Sequence, residues 1–253
     1  MLPILFDEST WQLRSYDVLL CLSATISMLV VLRDAKKEGY NVFRFFILLI
    51  CVLIFALFGA RINGWLFWFR GDFALLKEHI LSHKSGMTAF GGLIGAILST
   101  CFFSYLNRWK VVAILDLLIP VLALGESIQR IGCFLNGCCY GRPNTNTLGF
   151  FLPDSIGIWA YRYPSQIITG LFCALLFFWL KRQRKTAPFD GYLTLQYLLL
   201  YNVGRLFLDF LRGDEPIALG VLSSHQLTGA LIAISSCFIL FFVMKFQRRI
   251  SLK

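Results

Sequence analysis

Seven mostly apolar stretches, separated by short polar or basic connections, occupy nearly the whole chain: Tyr16–Leu32, Phe43–Ala60, Met87–Leu106, Val111–Phe134, Ile167–Leu180, Gly191–Leu211 and Gln226–Phe246. A helix needs about 20 such residues to cross the hydrocarbon core. The pattern therefore predicts an all-α polytopic membrane protein of about seven transmembrane helices, the fifth the shortest. No internal repeat or low-complexity linker breaks the series, and no room is left for a soluble domain, so 1–253 reads as a single integral membrane domain.

The basic residues of the connections alternate. Arg33, Lys36, Lys37 and Arg44 follow the first run, Arg108 and Lys110 the third, Lys181, Arg182, Arg184 and Lys185 the fifth, and Lys245, Arg248, Arg249 and Lys253 the seventh. Because Lys and Arg mark cytoplasmic loops, these fourteen place the N-terminus outside and the C-terminus in the cytoplasm. Three longer segments are then expected outside: Arg61–Gly86, Asn136–Gln166 and Arg212–His225. The last two hold turn-forming runs such as Asn136-Gly137, Gly141-Arg142-Pro143, Asn144 to Thr147 and Arg212-Gly213-Asp214. Met1–Leu13 carries Asp7 and Glu8 and lacks a basic segment ahead of a cleavage site, so the first span is expected to remain in the mature protein.

Composition agrees with this picture. Hydrophobic residues make up 57% of the 253 positions and charged residues 15%, with a mean hydropathy of +0.69. A net charge of +10 raises nucleic acid as a partner, but the basic residues sit between apolar runs and form no patch or aromatic-interleaved groove, which excludes that class.

The ionisable residues inside the runs change the picture more. Asp116, Glu126 and Arg130 lie in the fourth run, and Arg205 and Asp209 in the sixth. A charge at membrane depth costs several kcal/mol unless paired or facing a polar cavity, and marks a functional site by default, although such a pair can also serve only to fix helix packing. Glu126 and Arg130, like Arg205 and Asp209, are four apart and share a helix face. Arg130 opens into Gly132, Cys133, Asn136 and Gly137, and Arg205 is followed by Asp209 and Arg212. Two guanidinium groups at the outer ends of two spans make a clamp for a phosphate diester, whose oxygens match the guanidinium fork. Gly86 to Gly95 opens the third run with four glycines, which on their own signal close helix packing.

Five cysteines, Cys21, Cys51, Cys101, Cys173 and Cys237, lie deep in apolar runs, where a thiol acts as a small hydrophobe. Cys133, Cys138 and Cys139 cluster instead among polar residues. They can be packing thiols, form a disulfide on the oxidising outer face, or ligate a soft metal with His225. A structural role is the expectation, without metal, because adjacent Cys138 and Cys139 are poorly spaced for one tetrahedral site.

Taken together the motifs resemble the prolipoprotein diacylglyceryl transferase family, in order and over nearly the whole chain. They are Arg14-Ser15-Tyr16, Gly59-Ala60-Arg61, and Gly86-Met87 with Gly91-Gly92-Leu93-Ile94-Gly95. Then come Arg130-Ile131-Gly132-Cys133-Phe134-Leu135-Asn136-Gly137, Tyr163-Pro164-Ser165-Gln166, Gly204-Arg205 with Asp209-Phe210, Arg212 and Asp214, and Gln226. The Arg-Ile-Gly…Phe-Leu-Asn-Gly run is the most specific. The resemblance implies seven spans with an outside N-terminus in the bacterial inner membrane, and transfer of a diacylglyceryl group from phosphatidylglycerol to the lipobox Cys thiol of a prolipoprotein signal peptide. It implies no metal or organic cofactor. By position, Arg130 and Arg205 would hold the phosphate, Tyr16 and Asn136 would line the pocket, and Gln166 and Asp209 would support it. Arg61, Gly91, Gly92, Gly137 and Arg212 complete the implied substrate-binding set.

The chain departs from the family at four positions. Phe90 stands where the family carries a His assigned to activate the acceptor thiol, Cys133 where it has Asn, Cys138 where it has an acidic residue, and Tyr163 where a His opens the Pro-Ser-Gln motif. Phe cannot accept a proton. Either another group activates the thiol, with the departing phosphate and His225 as candidates, or the scaffold runs a related transfer to a different acceptor. A non-catalytic, transport-like lipid-binding protein that kept the clamp is the alternative.

Overall fold

The structure, a computed structural model, describes residues 4–8, 11–68, 88–144, 149–154, 157–214, 217–219 and 222–251. The expected start of the third span at Met87, most of the Arg61–Gly86 connection, the 145–147 turn and Lys253 lie outside these residues. Among the described residues seven helices follow the seven apolar runs: α1 Ser15–Lys37, α2 Val42–Trp68, α3 Ala89–Leu106, α4 Val111–Asn136, α5 Ser165–Gln183, α6 Tyr192–Leu208 and α7 Ser224–Ser251. Five of them, α1, α2, α4, α5 and α7, are long and apolar enough to cross a membrane, which makes this a multi-pass membrane protein. The described part of α3 is apolar but shorter, and α6, 17 residues long, carries Gln196, Asn202 and Arg205.

Helix ends differ from the apolar runs where polar residues stabilise further turns. α1 continues through Lys36 and Lys37, whose charges favour its C-terminal end. α2 continues to Trp68, so Arg61 lies within a helix and not in a connection. Among the described residues three antiparallel strand pairs add strands that hydrophobic runs did not signal: β1 Ile4–Glu8 with β2 Trp11–Arg14, β3 Phe150–Pro153 with β4 Trp159–Arg162, and β5 Ile217–Leu219 with β6 Leu222–Ser223. In the middle hairpin the Asp154 carboxylate accepts from Ile158 N at 2.9 Å and Gly157 supplies φ +86°, which closes the turn.

The chain forms two compact units, Met1–Val30 with Leu118–Lys253, and Val31–Leu117. In the first, Ile119, Ala123, Leu176, Phe177, Leu180 and Leu193 form the buried core, with Val30, Phe172, Tyr197 and Tyr201 packed against it. α5 shows how its sequence divides the helix: Thr169, Cys173, Leu176 and Leu180 face inward, while Leu171, Leu175 and Phe178 form an exposed apolar stripe suited to lipid. The Ser23 and Ser27 hydroxyls of α1 donate to the Gly125 and Val121 carbonyls of α4 at 2.8 and 3.2 Å. Such bonds contribute about 0.6 kcal/mol each in a membrane.

In the second unit α2 and α3 cross backbone to backbone. A Cβ on Gly91 would strike the Gly59 carbonyl, and one on Gly95 the Phe55 carbonyl. Thr88 caps α3, donating to Asn63 Oδ1 at 2.8 Å and accepting from Gly91 N at 3.4 Å. Trp109 packs against Tyr40, Phe45 and Phe103, with ring centroids 5.2, 5.9 and 5.9 Å apart.

Candidate active site

The polar residues of the first unit gather at the ends of four helices: the start of α1, the end of α4, the start of α5 and the end of α6. Arg130 lies on the last turns of α4 and donates to Glu126 Oε1 at 2.6 Å, with only 11% of its side chain exposed. Its Nε is buried and has no hydrogen-bond partner among the described residues. Gly170 of α5 lets this arginine lie close, since a Cβ there would come to 3.2 Å from the Arg130 Cβ. On α6, Arg205 bonds Asp209 at 3.1 Å, Asp209 also faces Arg212 at 3.8 Å, and Arg212 donates to both oxygens of Asp214 at 3.0 Å.

Cys173 and Tyr201 both lie within reach of Glu126 and within electrostatic reach of Arg205, and Cys173 also within electrostatic reach of Arg130. Cys173 was expected to be a plain packing thiol; it is buried, but against the charged cluster and not among hydrocarbon alone. Tyr201, which the sequence reading missed, stands four residues before Arg205 and so shares its face. That spacing was the available signal.

The loop after α4 ties these parts together. Arg142 N donates to Leu211 O at 2.8 Å, Arg142 Nε to Arg212 O at 2.8 Å, and Gly213 N to Tyr140 O at 2.9 Å. On its other edge Asn144 N donates to Tyr161 O at 2.7 Å and Tyr163 N to Arg142 O at 3.2 Å. Arg162, paired with Asp154 at 2.9 Å, lies over the Tyr140 ring at 4.9 Å. One strand-like segment thus holds the ends of α4, α5 and α6, and Arg142 is its main side-chain tie.

Beside the cluster is a cavity of about 340 Å³ lined by Arg14, Tyr16, Asp17, Cys133, Asn136, Cys138 and Cys139. Tyr16 of α1 and Asn136 of α4 are among its lining residues. Gly137 follows Asn136 with φ +78°, a left-handed turn that ends α4 and favours glycine. Gln166, 1% exposed, donates from Nε2 to Cys138 O at 2.9 Å, and Ser165, 2% exposed, donates to Cys139 O at 2.8 Å. Both support the cavity wall by holding its backbone.

The three cysteines lie close together. Cys139 adopts φ +56°, which brings its side chain to the same side as its neighbour, and the Sγ atoms of Cys133, Cys138 and Cys139 all lie within 4.8 Å of one another. Their adjacency in sequence is therefore no obstacle to a shared site, and all three are free thiols. Hydrogen bonds from the Cys133 and Cys139 thiols hold the Cys138 thiol well below its ordinary pKa.

Arg61, Gly91 and Gly92 belong to the second unit, in α2 and at the start of α3, and Phe90 is exposed on the first turn of α3. His225 is exposed at the start of α7. Gln226 builds a capping box with Ser223 and donates to Leu206 O at 2.9 Å, fastening α7 to α6.

Comparison with known proteins covers both units. A phosphatidylglycerol–prolipoprotein diacylglyceryl transferase of Clostridium tetani is 29% identical over 258 aligned residues, covering 98% of this chain and all of that protein. One of Dehalococcoides mccartyi is 30% identical, covering 75% of this chain and 72% of that protein. One of Chlorobaculum tepidum is 38% identical over 135 residues, covering 53% of this chain and 46% of that protein. The family profile described as prolipoprotein diacylglyceryl transferase matches residues 3–242, and the chain therefore belongs to that family.

Proposed function

We propose that this chain transfers the diacylglyceryl group of phosphatidylglycerol to the lipobox Cys thiol of a prolipoprotein, at the outer half of a bacterial inner membrane. The relatives are named as enzymes of this reaction, so the non-catalytic lipid-binding alternative is not favoured. The single observation that carries the chemical reading is the convergence of Arg130 and Arg205, each held by its own carboxylate, on one cluster at the ends of α4 and α6.

The reaction forms a thioether between the acceptor sulfur and the glyceryl carbon, breaks that carbon's bond to the phosphate oxygen, and releases glycerol phosphate. Negative charge gathers on the departing phosphate, and the acceptor thiol must lose its proton. Glu126 holds one arm of Arg130, so the guanidinium is oriented before substrate arrives. Asp209 orients Arg205 in the same way. Tyr16 and Asn136 line the adjoining cavity, and Gly137, Gln166 and Arg212 hold its walls. Arg61, Gly91 and Gly92 complete the substrate-binding set by family position. The alternation of basic connections supports an outside N-terminus, seven spans and a cytoplasmic C-terminus for one domain over 1–253.

The test is transfer by the purified chain in vesicles containing phosphatidylglycerol, with a lipobox peptide as acceptor. A peptide gaining the diacylglyceryl mass with release of glycerol phosphate is expected. Binding of phosphatidylglycerol with no transfer would refute the enzyme.

A further inference from the structure

We propose that Cys133, Cys138 and Cys139 hold a zinc ion through their three thiolates, leaving its fourth position open to the cavity for the incoming acceptor thiol. The activation step rests on the transferase reading; the metal site does not.

Among the described residues these three form a group able to hold a metal, each offering one Sγ, with all three atoms within 4.8 Å of one another. A zinc–sulfur bond of about 2.3 Å puts the sulfurs of a tetrahedral site about 3.8 Å apart. The cluster therefore needs to close by no more than about 1 Å, within the reach of side-chain rotation. The backbone is built for this. Cys138 N bonds back to Cys133 O at 3.2 Å across the end of α4, and Gly137 and Cys139, at φ +78° and +56°, fold the chain so that adjacent thiols point together. Ser165 and Gln166, both almost fully buried, fasten the carbonyls of Cys139 and Cys138. A left-handed non-glycine residue costs about 1 kcal/mol or more and persists only where its surroundings fix it.

The surroundings suit a metal centre of this kind. Three thiolates select a thiophilic ion, and a site with three protein ligands and an open position is the catalytic form of zinc coordination. Arg130 lies within electrostatic reach of Cys133 and Cys139, and Arg14 lines the same cavity, so cationic groups offset the thiolate charge. Tyr16, Asp17 and Asn136 line the same cavity as the three cysteines.

A thiol that coordinates such an ion is deprotonated. The acceptor S–H bond breaks, its proton passes to solvent, and a zinc–sulfur bond forms. The sulfur pair then attacks the glyceryl carbon of phosphatidylglycerol as the carbon–oxygen pair leaves with glycerol phosphate. The thioether product is a weaker ligand and dissociates, and no oxidant or reductant is required.

The experiment is metal analysis of the full chain purified anaerobically in detergent without chelator. One zinc per chain is expected, falling to background in the Cys133→Ser/Cys138→Ser and Cys133→Ser/Cys139→Ser variants. Cobalt replacement provides a readout that needs no variant: three thiolates give an intense sulfur-to-cobalt charge-transfer band, and a lipobox peptide with Cys should shift it while its Ser counterpart does not. Absence of zinc, retention of zinc in the double variants, a disulfide within the triad of the untreated protein, or a cobalt band indifferent to the Cys peptide would overturn the proposal. None of these readouts depends on turnover. A chain that binds metal and takes the thiol yet transfers nothing counts against the enzymatic reading and not against the site.

Discussion

Arg130 gives one nitrogen of its fork to Glu126, whereas an ammonium in its place could satisfy the carboxylate but offer phosphate no second, fixed donor. Arg130→Lys and Arg205→Lys are therefore expected to lower kcat by about 10²-fold, the usual cost of losing one oriented donor to developing charge. Initial rates with membrane levels held equal will check this, and wild-type turnover in both variants would remove the clamp. Phe90→His gives a second residue-scale measurement. With the acceptor thiol activated by metal, the added imidazole should raise the rate by less than the about 10²-fold that a positioned base supplies; a gain of that size would show the base role to be vacant. The arginines were legible in the sequence because charge in an apolar run is costly and so conspicuous. The three thiols were legible as a group, but that the adjacent Cys138 and Cys139 can share one site was not, because it depends on Cys139 taking a left-handed conformation that its side chain does not announce. Ser165 and Arg142 were hidden for a similar reason: each acts by bonding a backbone carbonyl far away in sequence.

Elements approach one another where side chains are missing. A Cβ on Gly204 of α6 would collide with the Phe172 ring of α5, so Gly204→Val should force the two helices apart and cost about 1–3 kcal/mol by overpacking, seen as a lowered midpoint of thermal unfolding in detergent. An unchanged midpoint would mean that the ring moves aside freely. At the start of α5, Gln166→Ala leaves the Cys138 carbonyl without its buried donor, a loss of about 1–3 kcal/mol. Faster alkylation of Cys138 in the variant would report the loosened wall. Helix positions followed from the apolar runs alone, since hydrocarbon forces every spanning backbone into internal hydrogen bonds. The extension of α2 through Arg61 to Trp68 and the three hairpins did not follow, because both lie where water or the headgroups relax that constraint and local pairing decides.

At the scale of the whole molecule, the alternation of basic residues at the helix ends and in the connections predicts the orientation. Gln183 stands between Lys181, Arg182, Arg184 and Lys185, and Gln183→Cys should stay unlabelled by an impermeant thiol reagent in intact cells while reacting after lysis; labelling above the parent chain before lysis would invert the topology. The orientation proposed from the basic connections would put the ends of α4 and α6, the start of α5 and the cavity beside them on the side where secreted prolipoproteins emerge. The family match spans residues 3–242 and so includes both compact units, which means that transfer has to be measured on the full chain. The most direct measurement is complementation of a bacterial strain depleted of its own diacylglyceryl transferase, read as the mass of one defined lipoprotein. Expression of this chain should restore growth and shift the prolipoprotein by one diacylglyceryl group, and the shift should be lost in Arg130→Lys/Arg205→Lys. Full-length protein in the membrane with the prolipoprotein left unmodified would contradict the assignment.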